Sequence, residues 1–155
     1  MRPLTPPRRV VVAAVSLCCC ALLFRGNVAT ALVSRGDALL TSGDLSGAVR
    51  IYGRALRIAG NDADAADRLA FAFLLRRGPG DALRAYAAAS TGLEAAPQDG
   101  RLWVDRGFAS QRLSRWRDAK AAFLNAAAMT RDARYARLAA RMASRAGDRP
   151  AEAQP

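Results

Sequence analysis

The chain has 155 residues, enough for one domain with an appendage, and a formal net charge of +11 in which 23 of 24 basic side chains are arginines. Because these arginines are spread over every predicted helix with acids among them, a nucleic-acid-binding role is not favoured. There is no histidine, and the three cysteines are adjacent at Cys18, Cys19 and Cys20, so the usual zinc and haem sites lack ligands and no metal or cofactor is expected.

The N-terminal segment is apolar and uncharged from Val10 to Phe24, with Arg8 and Arg9 before it. It fits two interpretations. As a signal peptide it has a basic start, an apolar core and a small-x-small cleavage site at Ala29-Thr30-Ala31. As an uncleaved anchor it is shorter than the roughly 17–25 residues of a usual span. We favour the anchor, because cleavage there would remove the start of the first helix of the following domain.

Both interpretations of residues 1–26, as signal-anchor or signal peptide, give one orientation. The N-terminal arginines remain in the cytoplasm and the following domain is exported. The anchor places that domain on the non-cytoplasmic side of a membrane, with the bacterial inner membrane and periplasm as the expected setting. Cleavage would instead give an exported soluble protein.

Beyond this segment, an alanine, an aromatic residue and a second alanine recur at spacings of four and three, which place all three side chains on one helix face. Upstream of each triplet lies a second predicted helix, so the chain is predicted to consist of helical hairpins. The triplets begin 34 and 37 residues apart. They are Ala48-Tyr52-Ala55, Ala82-Tyr86-Ala89 and Ala119-Phe123-Ala126.

Turn signals separate the two helices of each hairpin. Gly43 and Gly78 suit helix C-caps. Asp44, Asp81 and Ser114 suit the N-caps of the helices that follow. Each unit is therefore predicted to be a helix, a tight turn and a helix.

This pattern resembles the tetratricopeptide repeat over roughly residues 29–133. The third unit carries Trp103 and Gly107 before its triplet, but departs from the family pattern at Arg106, Ser110 and Arg131. The resemblance implies an all-α, right-handed superhelix of three helical hairpins, preceded by the N-terminal hydrophobic helix. The repeat domain would cover 28–146, with units at about 29–62, 63–99 and 100–133.

The second unit departs from the period, because Pro97 comes three residues late. Either its second helix has nearly one extra turn, or a second register beginning at Ala85 takes over before Gly92 and Leu93. The extra turn is the simpler hypothesis. It predicts a slightly disturbed stacking angle between the second and third units.

A capping helix is predicted at 134–146, with Tyr135, Leu138 and Met142 at spacings of three and four. Repeat stacks need a terminal helix with a polar outer face. Three arginines would supply that face, namely Arg137, Arg141 and Arg145. The tail at 147–155 is expected to be disordered.

The resemblance also implies a function in protein binding. Tetratricopeptide stacks hold an extended peptide or a partner helix against the first helices of their units. Positions transferred by this resemblance are Val33, Asp37 and Leu40 in unit one, Asp67, Phe71 and Leu74 in unit two, and Arg101, Val104, Phe108, Gln111 and Arg112 in unit three. The other interpretation is that Phe71 and Phe108 pack between helices. A receptor for chaperone tails is not supported, because Val33 and Asp37 stand where that groove needs lysine and asparagine.

Catalysis is not expected, because the helical domain has no histidine or cysteine and no glycine-rich phosphate loop. The sequence therefore predicts a scaffold that binds another protein and is held at the membrane through residues 10–24. The alternative is a structural accessory subunit of a membrane complex, docked through its convex face or its hydrophobic helix.

Overall fold

The structure, a computed structural model, describes residues 26–60 and 62–147. These residues form seven α-helices and no strand. The helices are α1 (26–41), α2 (Leu45–Ala59), α3 (Ala63–Arg76), α4 (Asp81–Ala95), α5 (Gly100–Arg112), α6 (Trp116–Thr130) and α7 (Ala133–Ala146). The apolar run from Val10 to Phe24 and the tail after Gly147 lie outside the described residues. In the part described, no helix is both long and apolar enough to cross a membrane.

The helices stack in chain order as three hairpins, α1–α2, α3–α4 and α5–α6, followed by α7. Each helix from α2 onward packs on the next, and α3 also contacts α5 directly. The first helices of the second and third hairpins therefore lie side by side. The predicted all-α stack of helical hairpins is confirmed, whereas its right-handed sense stays a prediction.

The N-caps agree with the sequence in part. Asp44 caps α2 as predicted, since its carboxylate accepts a hydrogen bond of 2.8 Å from the backbone N–H three residues later. The same role predicted for Asp81 and Ser114 is wrong, because the N-caps of α4 and α6 are Gly80 and Arg115. Asp81 is instead the first residue of its helix, and its carboxylate turns back towards the preceding loop.

The predicted C-caps also agree in part. Gly43 has a φ of +84°, in the left-handed region that glycine adopts without a steric penalty. Helix α3 ends differently, because its C-cap is Arg77 at a φ of 56° and the predicted cap, Gly78, follows it.

In units one and three the triplets form the core between the helices of a hairpin. All six triplet residues there are buried. The ring of Tyr52 lies against Gly36 of α1, and the ring of Phe123 lies against Gly107 of α5. A Cβ atom on Gly107 would come within 2.6 Å of the Phe123 ring. Glycine is therefore required where the first helix crosses the ring.

The second unit follows the second register. Helices α2, α4 and α6 all have 15 residues, so the extra turn predicted for α4 is wrong. Ala85, Ala89 and Gly92 are buried in α4, whereas Ala82 and Tyr86 are only partly buried. The buried position that holds a ring in the other units is therefore occupied by Ala89.

The missing ring of unit two is supplied by its first helix. Phe73 of α3 lies 16 residues before Ala89, the same separation as in the two glycine–ring pairs, and both residues belong to one buried cluster. Each hairpin thus packs one aromatic ring against one small residue. In units one and three the second helix contributes the ring, whereas in unit two the first helix contributes it. Such an exchange conserves volume, which close-packed cores tolerate best.

Replacing Gly107 by alanine should lower the free energy of unfolding by roughly 1–3 kcal/mol, because the added Cβ overlaps the Phe123 ring. The matched control is Gly53→Ala in α2, where a Cβ meets nothing within 4 Å. That change should stabilise the protein by about 0.5–1 kcal/mol through helix propensity. Urea unfolding followed by circular dichroism measures both. If both substitutions changed the free energy of unfolding equally, the close contact between Gly107 and the Phe123 ring would be contradicted.

Helix α7 covers the end of the stack. Its buried residue Met142, together with Tyr135 and Leu138, packs against Trp116 and Phe123, as the spacing predicted. The three arginines expected on its outer face, Arg137, Arg141 and Arg145, are exposed.

Candidate functional site

An open pocket of about 310 Å³ lies between α3, α5 and the junction of α6 with α7. Four residues that the sequence predicted for the groove line it: Asp67, Phe71, Arg101 and Val104. Phe71 presents an apolar ring that is 42% exposed. The pocket thus combines an apolar wall with ionisable side chains, a combination typical of ligand sites.

Arg101 is the centre of the ionic contacts beside this pocket. Its guanidinium lies 2.9 Å from a carboxylate oxygen of Asp99 and 3.5 Å from oxygens of both Asp64 and Asp67. The hydrogen bonds with Asp99 raise the pKa of Arg101, and the same contacts lower the pKa of Asp99. Three carboxylates therefore share one guanidinium, and the positive charge of Arg101 is more than balanced.

Asp105 is the most unusual group of the site. It is 6% exposed and its Oδ2 has no hydrogen-bond partner among the described residues. Burial, reinforced by the negative charge of Asp67, raises the pKa of Asp105 to about 8. Burial also raises the pKa of Asp67, against the opposing effect of Arg101. At neutral pH the lining of the pocket therefore includes a carboxyl group that is largely protonated and whose Oδ2 has no hydrogen-bond partner among the described residues.

Asp37 and Leu40 are the groove positions predicted for unit one that the structure leaves partly exposed. The Tyr52 hydroxyl donates a hydrogen bond of 2.6 Å to Asp37 Oδ1, and Arg68 Nε lies 3.7 Å from the same oxygen. Burial and this hydrogen bond raise the pKa of Tyr52. Leu40 is only partly buried and packs against the core. Asp37 therefore connects the core of the first hairpin to the side chains around the pocket.

Two aliphatic positions assigned to the groove lie in the core instead. Val33 and Leu74 are buried in the large cluster shared by the first two hairpins. The positions transferred from the repeat pattern lie on the correct helices. The pattern does not show which of them are buried in the core and which are exposed on the groove surface. These two side chains therefore contribute to packing and do not line the pocket.

The remaining predicted positions lie towards the C-terminal end of α5. Phe108 packs edge-on against Phe123, with ring centroids 5.2 Å apart, and keeps part of its surface exposed. The side chain of Gln111 is partly buried. Arg112 Nη1 donates a hydrogen bond of 2.5 Å to the carbonyl oxygen of Leu74, near the end of α3. This end of the face is thus partly occupied by contacts within the protein.

Four lining residues were not predicted from the sequence: Arg68, Asp105, Thr130 and Tyr135. Asp105 lies four residues after Arg101, so helix periodicity alone places it on the same face and could have identified it. Thr130 and Tyr135 come from the end of α6 and the start of α7, and only the packing of α7 brings them to the pocket. No group of three histidine, cysteine or acidic side chains within residues 26–60 and 62–147 is arranged to hold a metal ion.

Stacked helical hairpins with glycine against a buried ring give this chain the fold of tetratricopeptide-repeat domains, and solved structures agree. The Arabidopsis OM64 TPR domain is 21% identical, with a TM-score of 0.70 over 77% of this chain and 98% of that one. The first TPR of Spaghetti (RPAP3), bound to the HSP90 peptide SRMEEVD, is 12% identical, with a TM-score of 0.72 over 79% and 95%. MamA from Desulfovibrio magneticus RS-1 is 23% identical, with a TM-score of 0.68 over 79% and 68%.

No protein-family model and no curated protein matches this sequence. The structural likeness is therefore a likeness of fold.

Proposed function

We propose that this protein is a non-catalytic interaction scaffold that binds an extended peptide or a partner helix on the face formed by α1, α3 and α5. The observation that carries the proposal is the pocket beside Phe71, whose ring is 42% exposed next to Asp105, a buried residue whose Oδ2 has no hydrogen-bond partner among the described residues. Exposed aromatic rings surrounded by charged side chains are frequent anchors of protein interfaces. The RPAP3 domain of the same fold, described as bound to an HSP90 peptide, supports this use of the fold.

The face is tested by photo-crosslinking in the organism. A photoreactive phenylalanine analogue is placed at Phe71 in one variant and at Leu83 of α4 in the control. Leu83 is 52% exposed on a second helix, so the two probes match in accessibility but differ in face. We expect protein adducts from position 71 and few from position 83. Adducts from position 83 alone would contradict binding at the pocket.

The alanine substitution of Phe71 should weaken binding of the crosslinked partner at least about 10-fold, since a central aromatic anchor is worth about 1.4 kcal/mol or more. Leu83→Ala should leave that affinity unchanged. Both residues are about half exposed, so thermal unfolding should be similar in the two variants. A variant of Phe71 that binds normally while folded would rule out the anchor role.

A specific observation favours a second candidate function, that of a structural accessory subunit. Leu83 of α4 and Leu124 of α6 are exposed large hydrophobic residues on second helices. Exposed apolar side chains of this kind can form a docking surface when they are contiguous. Under this alternative, crosslinks would arise from positions 83 and 124 instead of position 71.

We also propose that residues 10–24 tether the scaffold to a membrane, with the repeat domain on the non-cytoplasmic side. Support comes from the uncharged apolar run after two arginines. Membrane fractionation combined with mass spectrometry of the mature N-terminus tests this. An intact N-terminus in the membrane fraction is expected, whereas a soluble form that begins after Ala31 would replace the anchor by a cleaved signal peptide.

A further inference from the structure

The charge around the pocket is opposite to that of the protein. The chain as a whole carries +11. The lining itself holds two arginines, Arg68 and Arg101, and two acids. When the ion-pair partners of the two arginines are included, five carboxyl groups accompany these two arginines. The five are Asp37, Asp64, Asp67, Asp99 and Asp105. This part of the surface is therefore suited to a cation and unsuited to an anion.

Inside this acidic surface, Asp105 has an unsatisfied polar atom. A buried carboxyl oxygen without a hydrogen-bond donor is unfavourable, and native structures satisfy the large majority of such atoms. Asp105 is 94% buried, lines the pocket, and has Oδ2 without a partner in the described part of the chain. Arg101, a nearby cation, is already shared by three other carboxylates. Among the described residues no group donates to Asp105 Oδ2, so this oxygen is available to a donor of a bound molecule.

We infer that the pocket receives a lysine or arginine side chain of the partner polypeptide, with its charged group at Asp105 and Asp67 and its alkyl chain against Phe71 and Val104. This inference rests on the proposed function and names the chemistry of the partner. A charge-assisted hydrogen bond would satisfy Asp105 Oδ2, and the exposed ring of Phe71 offers an apolar surface to the alkyl chain of the incoming side chain.

Other occupants fit the same residues less well. An acidic peptide would place a carboxylate beside Asp67 and Asp105. Of the two arginines that line the pocket, Arg101 already contacts three carboxylates, and Arg68 lies 3.7 Å from Asp37, although its buried Nε makes no hydrogen bond within the described residues. A nucleic-acid phosphate or an anionic lipid headgroup would meet the same repulsion. A purely apolar side chain would cover Phe71 but would leave Asp105 Oδ2 without a donor.

The test is a selection of random peptides displayed on phage against the full-length chain, followed by affinity measurements on the enriched peptide. We expect enrichment of lysine or arginine at one fixed position. Asp105→Asn and Asp67→Asn should each lower the affinity for that peptide about 10-fold, which corresponds to about 1.4 kcal/mol. The matched control is Glu94→Gln, which removes one exposed negative charge from α4 and should leave the affinity nearly unchanged.

A second measurement separates direct contact from a structural role of Asp105. The charged and titratable groups around it are Asp67 and Arg68 of α3, Asp99 at the N-cap of α5, Arg101 of α5, and Tyr135 of α7. Because its pKa is about 8 in the free protein, an arriving cation should release a proton from Asp105 near pH 7. Calorimetry in buffers of different ionisation enthalpy measures this release. Asp105→Asn should abolish it, and binding without proton release in the unsubstituted protein would overturn the inference.

The outcomes of the selection distinguish the two proposals. Enrichment of acidic or wholly apolar peptides would overturn the inference and leave the scaffold in place. Enrichment of basic peptides whose affinity is insensitive to both asparagine substitutions would overturn it as well. If no peptide is enriched, and crosslinking at Phe71 also yields no adduct, the scaffold proposal and the inference fail together.

Discussion

Replacing Asp81 by alanine is expected to lower the free energy of unfolding by about 2–3 kcal/mol, because it removes the hydrogen bonds that a buried carboxylate accepts from a partly exposed arginine, Arg76, and from the loop backbone. The Asp81 side chain is 1% exposed. Its carboxylate accepts hydrogen bonds from Arg76 Nε at 2.9 Å, Arg76 Nη2 at 2.6 Å and the Gly78 backbone N–H at 2.8 Å. One carboxylate thus holds the end of α3, the loop and the start of α4 together.

The matched control for this substitution is Asp64→Ala. Asp64 also pairs with an arginine, Arg101 at 3.5 Å, but both side chains are more than half exposed. Exposed pairs contribute about 0–1 kcal/mol. A double-mutant cycle of Asp81→Ala with Arg76→Ala should show strong non-additivity. Equal losses for Asp81 and Asp64 would contradict the role assigned to the buried pair.

The same ion pair predicts a dependence of stability on pH. Hydrogen bonds from Arg76 hold the pKa of Asp81 at about 2, below its ordinary value of 3.8. Since the folded-state pKa is lowered, this contribution is fully present above about pH 4 and is lost as the pH falls through about 2. The contribution of this pKa shift to the free energy of unfolding is about 2 kcal/mol, since each unit of pKa shift corresponds to about 1.4 kcal/mol. Chemical unfolding between pH 2 and 5, compared with Asp81→Ala, measures it.

The repeat could be predicted in units one and three, where the ring between two alanines is the ring that packs in the core. In α2 and α6 the rings of Tyr52 and Phe123 need small neighbours on the same face, and helix geometry sets the spacing. Unit two instead carries its ring at Phe73, in the first helix. An alanine-rich helix has several faces that carry small residues at the same spacing. In α4 the triplet that begins at Ala82 lies on a partly buried face, whereas the face that begins at Ala85 packs against α3. The sequence pattern alone does not distinguish these two faces.

The sequence predicts which helices form the candidate site, but it identifies only some of the residues that line it. Phe71 and Val104 lie on faces that the repeat pattern defines. The pattern does not encode how deeply each side chain is inserted, which is why Leu74 was assigned to the surface although it is buried. Nor does it encode the contribution of α7, whose Tyr135 closes one side of the pocket. Burial of Asp105 depends on all of these elements together, so its unusual pKa has no signal in the local sequence.

Asp105→Asn is expected to stabilise the protein at alkaline pH. The folded-state pKa of Asp105 is raised by burial, from 3.8 to about 8. The folded state therefore binds a proton that the unfolded state releases between these values. Stability from this proton is fully present below about pH 4 and is lost as the pH rises through about 8. At about 1.4 kcal/mol for each pH unit between 3.8 and 8, the upper limit of the loss is roughly 6 kcal/mol.

Asparagine has nearly the shape of a protonated aspartate but cannot ionise, so the two proteins should be similarly stable near pH 4 and diverge as the pH rises towards 9. Chemical unfolding at each pH measures this divergence, and Asp64→Asn at a half-exposed position should show no comparable trend. If the unsubstituted protein lost no stability in this range, Asp105 would be ionised or satisfied in the folded state. A bound cationic peptide should reduce the divergence, because it supplies the charge that stabilises the Asp105 carboxylate. The loss of stability at alkaline pH and the affinity of the pocket for a cation would thus have one cause, the buried Asp105 carboxyl group, whose Oδ2 has no donor among the described residues.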